Sequence, residues 1–163
     1  MTRQVLVGSV PVGGGAPVTA DYVWNFADAA WQTEFAKLGN SGVDIETTWD
    51  ITVDGLNFYS TLKNRYTNKA LQIAGAGSKT ERVLSFDAPA AGTVTVSCSN
   101  TGNSEGAGRN VLVAVGDGDP EEKFGGSPSG SDPTVNTYAV GAGKVYIYTS
   151  GALRIYTVEF HTN

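Results

Sequence analysis

Eight tryptophan and tyrosine side chains are the residues of this chain best suited to hold a ligand. Their rings are flat and partly polar, so the C–H groups of a sugar can pack against them while Asn, Asp and Arg side chains satisfy the hydroxyls. These residue types therefore predict a glycan as the ligand. The candidates are Trp24, Trp49, Tyr59, Tyr66, Tyr138, Tyr146, Tyr148 and Tyr156.

Tyr146 and Tyr148 stand two residues apart in one apolar run. Successive side chains of a strand point to opposite faces, so these two rings share one face. If that face is turned outward, the rings form an exposed aromatic platform of the kind that marks a binding site. If it is turned inward, they belong to the core, and the sequence leaves both readings open.

A short acidic segment is a candidate calcium site. Carboxylates at alternate positions supply the hard oxygen ligands that Ca²⁺ prefers, and Asp117, Asp119 and Glu121 have this spacing. The segment lacks the Gly at position six and the Glu at position twelve of an EF-hand loop. A solvated acidic turn is the alternative.

Three arginines lie at or near the starts of predicted strands. We count Arg109 among the candidate ligand-binding residues, and cross-strand ion pairing is the alternative for all three. The arginines are Arg82, Arg109 and Arg154, and their candidate partners are Glu81, Asp87 and Glu159.

The sequence offers no convincing catalytic group. The single histidine, His161, has no nucleophile in a strand–turn–helix context, and Cys98 alternates with valines as a buried residue does. Residues 75–80 resemble a phosphate-binding loop only in composition, because the glycines are two apart and a strand-like run follows. We expect a turn there, and a protein that is not an enzyme.

Composition excludes several classes of partner. The chain has 163 residues, a net charge of −5 and no cluster of basic residues, which argues against nucleic acid. Its longest apolar runs are too short to span a membrane. The 21 glycines and 6 prolines, spread between apolar runs, favour short strands over long helices.

Short alternating runs separated by Gly, Pro, Ser and Asn clusters are typical of consecutive antiparallel strands. Because alternate strands of such a series usually enter two packed sheets, we expect an all-β, jelly-roll-like antiparallel β-sandwich. Eight strands are predicted, at residues 55–59, 71–73, 82–86, 93–98, 111–115, 137–140, 145–148 and 153–160.

The first part of the chain predicts one short helix and a hairpin arm. Asp28 is a good N-cap for a helix whose inner face carries Trp31, Phe35 and Leu38. Residues 1–20 are rich in glycine and resemble a β-hairpin. We therefore divide the chain into an N-terminal arm, residues 1–20, and a sandwich domain, residues 21–163.

From residue 25 to residue 160 the chain resembles a β-sandwich module appended to pectate lyases and surface proteins of Bacteroidetes. Turn and strand motifs carry this resemblance, at residues 55–58, 75–82, 89–93, 99–102, 115–118, 145–148 and 155–156. It implies a non-catalytic, carbohydrate-binding-like module. A family of this kind is defined by its fold more than by a chemistry.

Two functions are expected. The first is a non-catalytic module that binds carbohydrate on a cell surface or polysaccharide. The second is a structural subunit, such as a virion decoration protein, a fibre protein or a filament protomer, held to a neighbouring or identical subunit by residues 1–20 through strand addition. A carbohydrate-binding module would fit an extracellular or surface protein from which a secretion signal was removed. A structural subunit would fit a virion protein whose native start is Met1.

Overall fold

The computed structural model describes residues 3–7 and 19–163. Within these residues the chain forms strands joined by short turns, with one helix. In chain order they are β1 (Arg3–Val7), β2 (Thr19–Asn25), α1 (Ala29–Ala36), β3 (Trp49–Val53), β4 (Leu56–Ser60), β5 (Arg65–Tyr66), β6 (Leu71–Ile73), β7 (Val83–Ala88), β8 (Gly92–Asn100), β9 (Asn110–Val115), β10 (Glu121–Phe124), β11 (Thr134–Val140), β12 (Gly143–Thr149) and β13 (Leu153–Thr162).

The strands build two antiparallel sheets. In the seven-stranded sheet β1, β2, β13, β8 and β11 lie side by side. Strand β6 pairs with the first residues of β13, and β5 pairs with β6. The six-stranded sheet has the order β10-β9-β12-β7-β4-β3. From β7 onward the chain crosses between the sheets, apart from β10, which stays beside β9. This confirms the predicted two-sheet antiparallel sandwich.

The core between the sheets is rich in aromatic rings. Trp24 and Phe86 approach across it with ring centroids 5.0 Å apart, and Phe160 lies 5.4 Å from Phe86. Helix α1 begins after Asp28, as predicted, and fully buries Trp31. The helix thus contributes its inner face to the same core.

All eight predicted strands are present, but three further strands lie where loops were expected. They are β3, β5 and β10. The last of these falls within the segment that we interpreted as an acidic loop, so Glu121 is a strand residue paired with Val113 of β9.

The predicted arm contributes strands to the chain's own sheet. Residues 3–7 pair antiparallel with β2, which in turn pairs with β13. Residues 8–18, where the predicted glycine-rich hinge falls, lie outside the described residues. Docking of the arm on a neighbouring subunit therefore stays a prediction, as does the division at residue 20.

Two smaller expectations concern single features of the chain. Cys98 is fully buried, and burial raises the pKa of its thiol to about 12. It therefore packs as a small apolar residue, as predicted. Within the part of the chain that the structure describes, no helix has the length and apolar character needed to cross a membrane.

Candidate functional site

The outer face of the six-stranded sheet carries the two tyrosines whose orientation the sequence left open. On β12, Val145 and Ile147 are buried in the core, while the alternating Tyr146 and Tyr148 point away from it and are partly exposed. Of the two orientations that the sequence left open, Tyr146 and Tyr148 therefore adopt the outward one. Both rings are fixed on a central strand, with β9 on one side and β7 on the other.

Tyr59 on β4 joins the same face. Phe58 beside it is fully buried, so Tyr59 points outward, and its partner across the strands is Val83 of β7. Strand spacings place Tyr59 about 10 Å from β12, and the residues Tyr146 and Tyr148 about 7 Å apart along it. We call these three rings and the outward residues between them the tyrosine face.

An amide group is held in place beside Tyr59. Asn57 lies two residues earlier on β4, and its Nδ2 donates to Asp50 Oδ1 at 2.8 Å and to Thr52 Oγ1 at 2.9 Å. Both partners belong to the neighbouring strand β3. These bonds fix the direction of the amide, which leaves its oxygen as an oriented acceptor at the edge of the face.

The opposite edge of the tyrosine face is acidic. Leu112 of β9 stands between Tyr148 of β12 and Glu122 of β10 in the sheet register. Partial burial and then the charge of Glu122 raise the pKa of the Tyr148 hydroxyl. At neutral pH this hydroxyl therefore stays protonated and can donate or accept a hydrogen bond.

Lys79 crosses the face beside Tyr146. The backbone N–H of Gly77 donates to Thr149 O at the end of β12, whereas Lys79 Nζ donates to the carbonyls of Gly116 and Gly118, each at 2.8 Å. The backbone N–H of Gly116 donates to Lys144 O. Lys144 precedes Thr149 by five residues of β12, which places the two residues about 16 Å apart along the strand.

The lysine therefore bridges from the loop at one end of β12 to the turn at its other end. On the way, Lys79 Nζ lies 5.8 Å from the centroid of the Tyr146 ring, and Lys144 Nζ lies at the same distance. Two ammonium groups thus flank one ring of the tyrosine face, which favours a fixed ring orientation through cation–π attraction.

The loop that carries Lys79 is anchored by Glu81. Its carboxylate accepts hydrogen bonds from the hydroxyls of Ser60 and Thr61, and from the backbone N–H groups of Thr61 and Arg82 at 3.0 Å. Burial raises the pKa of Glu81, but these bonds outweigh it and lower the pKa to about 2. Sequence reasoning missed this anchor, for which the sequence gives no local signal.

Four of the eight candidate rings are core residues, which corrects the prediction for them. Trp24, Trp49, Tyr66 and Tyr138 are only 1%, 0%, 5% and 1% exposed. The indole N–H of Trp24 donates to Asp54 O at 3.1 Å, and that of Trp49 donates to Ile45 O at 3.2 Å. Because each indole N–H keeps a hydrogen-bond acceptor, burial of the two indole rings leaves no indole N–H donor without a partner.

The arginines hold loops in place and make none of the predicted ion pairs. Arg109 Nη1 donates to Asn100 Oδ1 at 2.6 Å and to Ala152 O at 3.1 Å, so it joins the β8–β9 loop to the β12–β13 turn. Arg82 donates to Lys63 O, and Arg154 bonds to Gln72 and Ser129. The contacts of Arg109 therefore hold these loops in place, and a contact of Arg109 with a ligand stays a prediction.

The proposed calcium ligands do not converge. Asp117 and Asp119 lie in the turn between β9 and β10, whereas Glu121 lies 3.6 Å from Lys123 in β10. Among residues 3–7 and 19–163, no three His, Cys, Asp or Glu side chains form a group that could hold a metal. The turn carbonyls are instead bonded to Lys79. Calcium binding stays a prediction.

Fold and site together define an antiparallel β-sandwich with a partly exposed tyrosine face. No family model and no curated protein matches the sequence. Nine chains of solved structures match it. One of them has a TM-score of 0.45 and 19% identity over 90% of this chain and 97% of that one, and it comes from work described as "The complexity of the Ruminococcus flavefaciens cellulosome reflects an expansion in glycan recognition".

A likeness at this level carries no argument about function, which must rest on the geometry of the tyrosine face. The β-sandwich that the sequence resemblance implied is present. The narrower assignment to modules of Bacteroidetes stays a prediction.

Proposed function

We propose that the protein is a non-catalytic carbohydrate-binding module whose ligand packs on the tyrosine face. The observation that carries this proposal is the outward, partly exposed position of Tyr146 and Tyr148 on a central strand. The module would hold the protein that bears it to a polysaccharide or to a glycan-coated cell surface.

The spacing of the rings suits an extended chain of sugars. A strand fixes the backbones of Tyr146 and Tyr148, and a third ring, Tyr59, stands two strands away. Rings held by a sheet lose little conformational entropy when a ligand packs against them. A chain that lies across the strands can thus contact β12 and β4 together.

Polar groups next to the rings would satisfy sugar hydroxyls. Asn57 is already oriented by Asp50 and Thr52, so its amide oxygen needs no rearrangement to accept a hydrogen bond. Glu122 and the protonated hydroxyl of Tyr148 lie at the other edge. Such fixed polar groups around an apolar platform are what gives a binding site its specificity.

Affinity electrophoresis with a panel of soluble polysaccharides, including xylan, pectin and cellulose derivatives, tests the proposal. We expect retardation by at least one of them, and an approximately 5- to 30-fold loss of affinity in Tyr146→Ala or Tyr148→Ala, which corresponds to about 1–2 kcal/mol for one stacked ring.

Tyr156→Ala is the matched control. Tyr156 was one of the eight candidate rings, but it is a partly exposed tyrosine of β13 in the seven-stranded sheet and so does not belong to the tyrosine face. It should leave the affinity unchanged once the variant is shown to be folded by circular dichroism. Absence of retardation by every polysaccharide, or equal affinity of the wild type and both face variants, would contradict the proposal.

A further inference from the structure

The end of the tyrosine face around Tyr146 carries two ammonium groups. Lys79 Nζ and Lys144 Nζ each lie 5.8 Å from the centroid of the Tyr146 ring. Lys144 is exposed on the outer face of β12, two residues before the tyrosine, whereas Lys79 reaches the ring from the loop between β6 and β7. Because Tyr146 is partly exposed, a ligand that packs on its ring comes close to both ammonium groups.

Both ammonium groups have hydrogen bonds left to offer. An ammonium has three N–H donors, and Lys79 gives two of them to the carbonyls of Gly116 and Gly118. Lys144 Nζ lies near the ring but, among the described residues, has no hydrogen-bond partner, and neither lysine forms an ion pair there. The third donor of Lys79 and the donors of Lys144 are therefore available to an anion beside Tyr146.

The carboxylates that neighbour these lysines leave them unpaired. Asp87 lies opposite Lys144 in the register with β7 and is exposed on the same outer face, and Asp117 and Asp119 belong to the turn whose carbonyls bind Lys79. Solvent and salt screen charges that stand apart at an exposed surface. An anion that hydrogen-bonds to the ammonium groups therefore interacts with them more strongly than these carboxylates do.

We propose that the sugar bound at Tyr146 is anionic, so that the tyrosine face prefers polysaccharides bearing carboxylate or sulfate groups. This inference rests on the proposed glycan binding and names its ligand class. A sugar packed on the ring brings its substituents to the rim, where charge-assisted hydrogen bonds to two ammonium groups are stronger than those of a neutral hydroxyl. The net charge of the chain is −5, so attraction of a polyanion must come from this local pair.

Affinity electrophoresis with polygalacturonate and with its fully methyl-esterified form tests this, because esterification removes the charge and keeps the sugar backbone. We expect polygalacturonate to bind at least about 5-fold more tightly than the ester, and its affinity to fall as salt is added. Alginate and dextran sulfate, run beside polygalacturonate, distinguish a uronate of another linkage and a sulfate ester as sources of the charge.

Substitutions on the outer face assign the effect to the lysines. Lys144→Gln should weaken polygalacturonate binding by about 3- to 5-fold. Asp87→Asn should strengthen it by roughly 2-fold, because this change removes the negative charge that faces Lys144. The matched control is Lys69→Gln, which removes an exposed lysine from the turn between β5 and β6 of the other sheet and should leave the affinity unchanged.

Preference for any of the anionic polymers over the esterified one, reduced in Lys144→Gln and kept in Lys69→Gln, would support the proposal. Equal affinity for polygalacturonate and its ester, no retardation by any anionic polymer, or a preference that Lys144→Gln leaves unchanged would overturn it. If neutral polysaccharides are then still retarded, and Tyr146→Ala weakens their binding, glycan binding by the tyrosine face stands and only the anionic preference fails.

Discussion

Replacement of Glu81 by Gln should make the protein less stable at neutral pH, and the loss should disappear in acid. Hydrogen bonds from Ser60, Thr61 and Arg82 lower the pKa of the carboxyl from 4.5 to about 2, against the opposing effect of burial. A carboxyl with a lower pKa in the folded state stabilises fully above its unfolded value of 4.5. That stabilisation is lost as the pH falls towards 2.

The size of the effect follows from the same shift. At about 1.4 kcal/mol for each pKa unit, the interval from 4.5 to about 2 sets an upper limit of roughly 3.5 kcal/mol. Glu81 is partly exposed and solvent screens its charge, so we expect about 1–2 kcal/mol at neutral pH.

Urea unfolding of the wild type and Glu81→Gln between pH 2 and pH 7 measures this difference. The gap in the free energy of unfolding should be constant above about pH 5 and close to zero near pH 2. Glu46→Gln is the control, since Glu46 is an exposed carboxylate whose replacement should change the free energy of unfolding little. A gap for Glu81→Gln that does not change with pH would refute the reasoning.

Two further predictions concern the seven-stranded sheet. A Cβ on Gly125 would lie 2.8 Å from Cys98 Sγ and 3.1 Å from Val111 Cγ2, so Gly125→Ala should cost about 1–3 kcal/mol in urea unfolding. Adding Cys98→Ala should make the double change cost less than the sum of the single changes. The hydrogen bond of His161 to Asp21, at 2.7 Å, raises the pKa of the imidazole. NMR titration should give a pKa above 6.5 that falls in Asp21→Asn, and the stabilisation from this pair should be lost as the pH rises through the folded-state pKa.

Much of the fold could be predicted from local sequence, and one missed hairpin had a clear signal. In β3, Trp49, Ile51 and Val53 are buried while the residues between them are exposed, which is the pattern of a half-buried strand. Asp54 and Gly55 follow, both with positive φ, as a two-residue hairpin turn requires.

Strand β10 could not be predicted in the same way. Its sequence, Glu121–Phe124, has no buried face, and it lies at the edge of its sheet beside β9. Charged edge strands of this kind are defined by the neighbour that they pair with and not by their own periodicity. The acidic residues were therefore interpreted as a loop.

The aromatic residues were the right type for the site, but residue type does not determine burial. In the run Val145–Tyr148 both alternating sets are apolar, so periodicity alone cannot say which set faces the core. The register with β7 and β9 supplies the answer, because the outward Tyr146 pairs with Ser85 and Ala114. That information lies elsewhere in the chain.

The loop between β6 and β7 shows why a correctly predicted turn can still conceal part of a site. Close packing requires glycine in it, since a Cβ on Gly77 would lie 2.6 Å from Arg82 O. The turn is then fixed at one end by the Glu81 carboxylate and at the other by Lys79 on the carbonyls of Gly116 and Gly118. Tyr146 lies beneath Lys79, which belongs to the same loop as Glu81. The hydrogen bond between buried Ser60 and the Glu81 carboxylate therefore helps to determine the shape of the tyrosine face. Glu81, whose replacement we expect to lower stability at neutral pH, is therefore also connected through a single loop to the proposed binding surface.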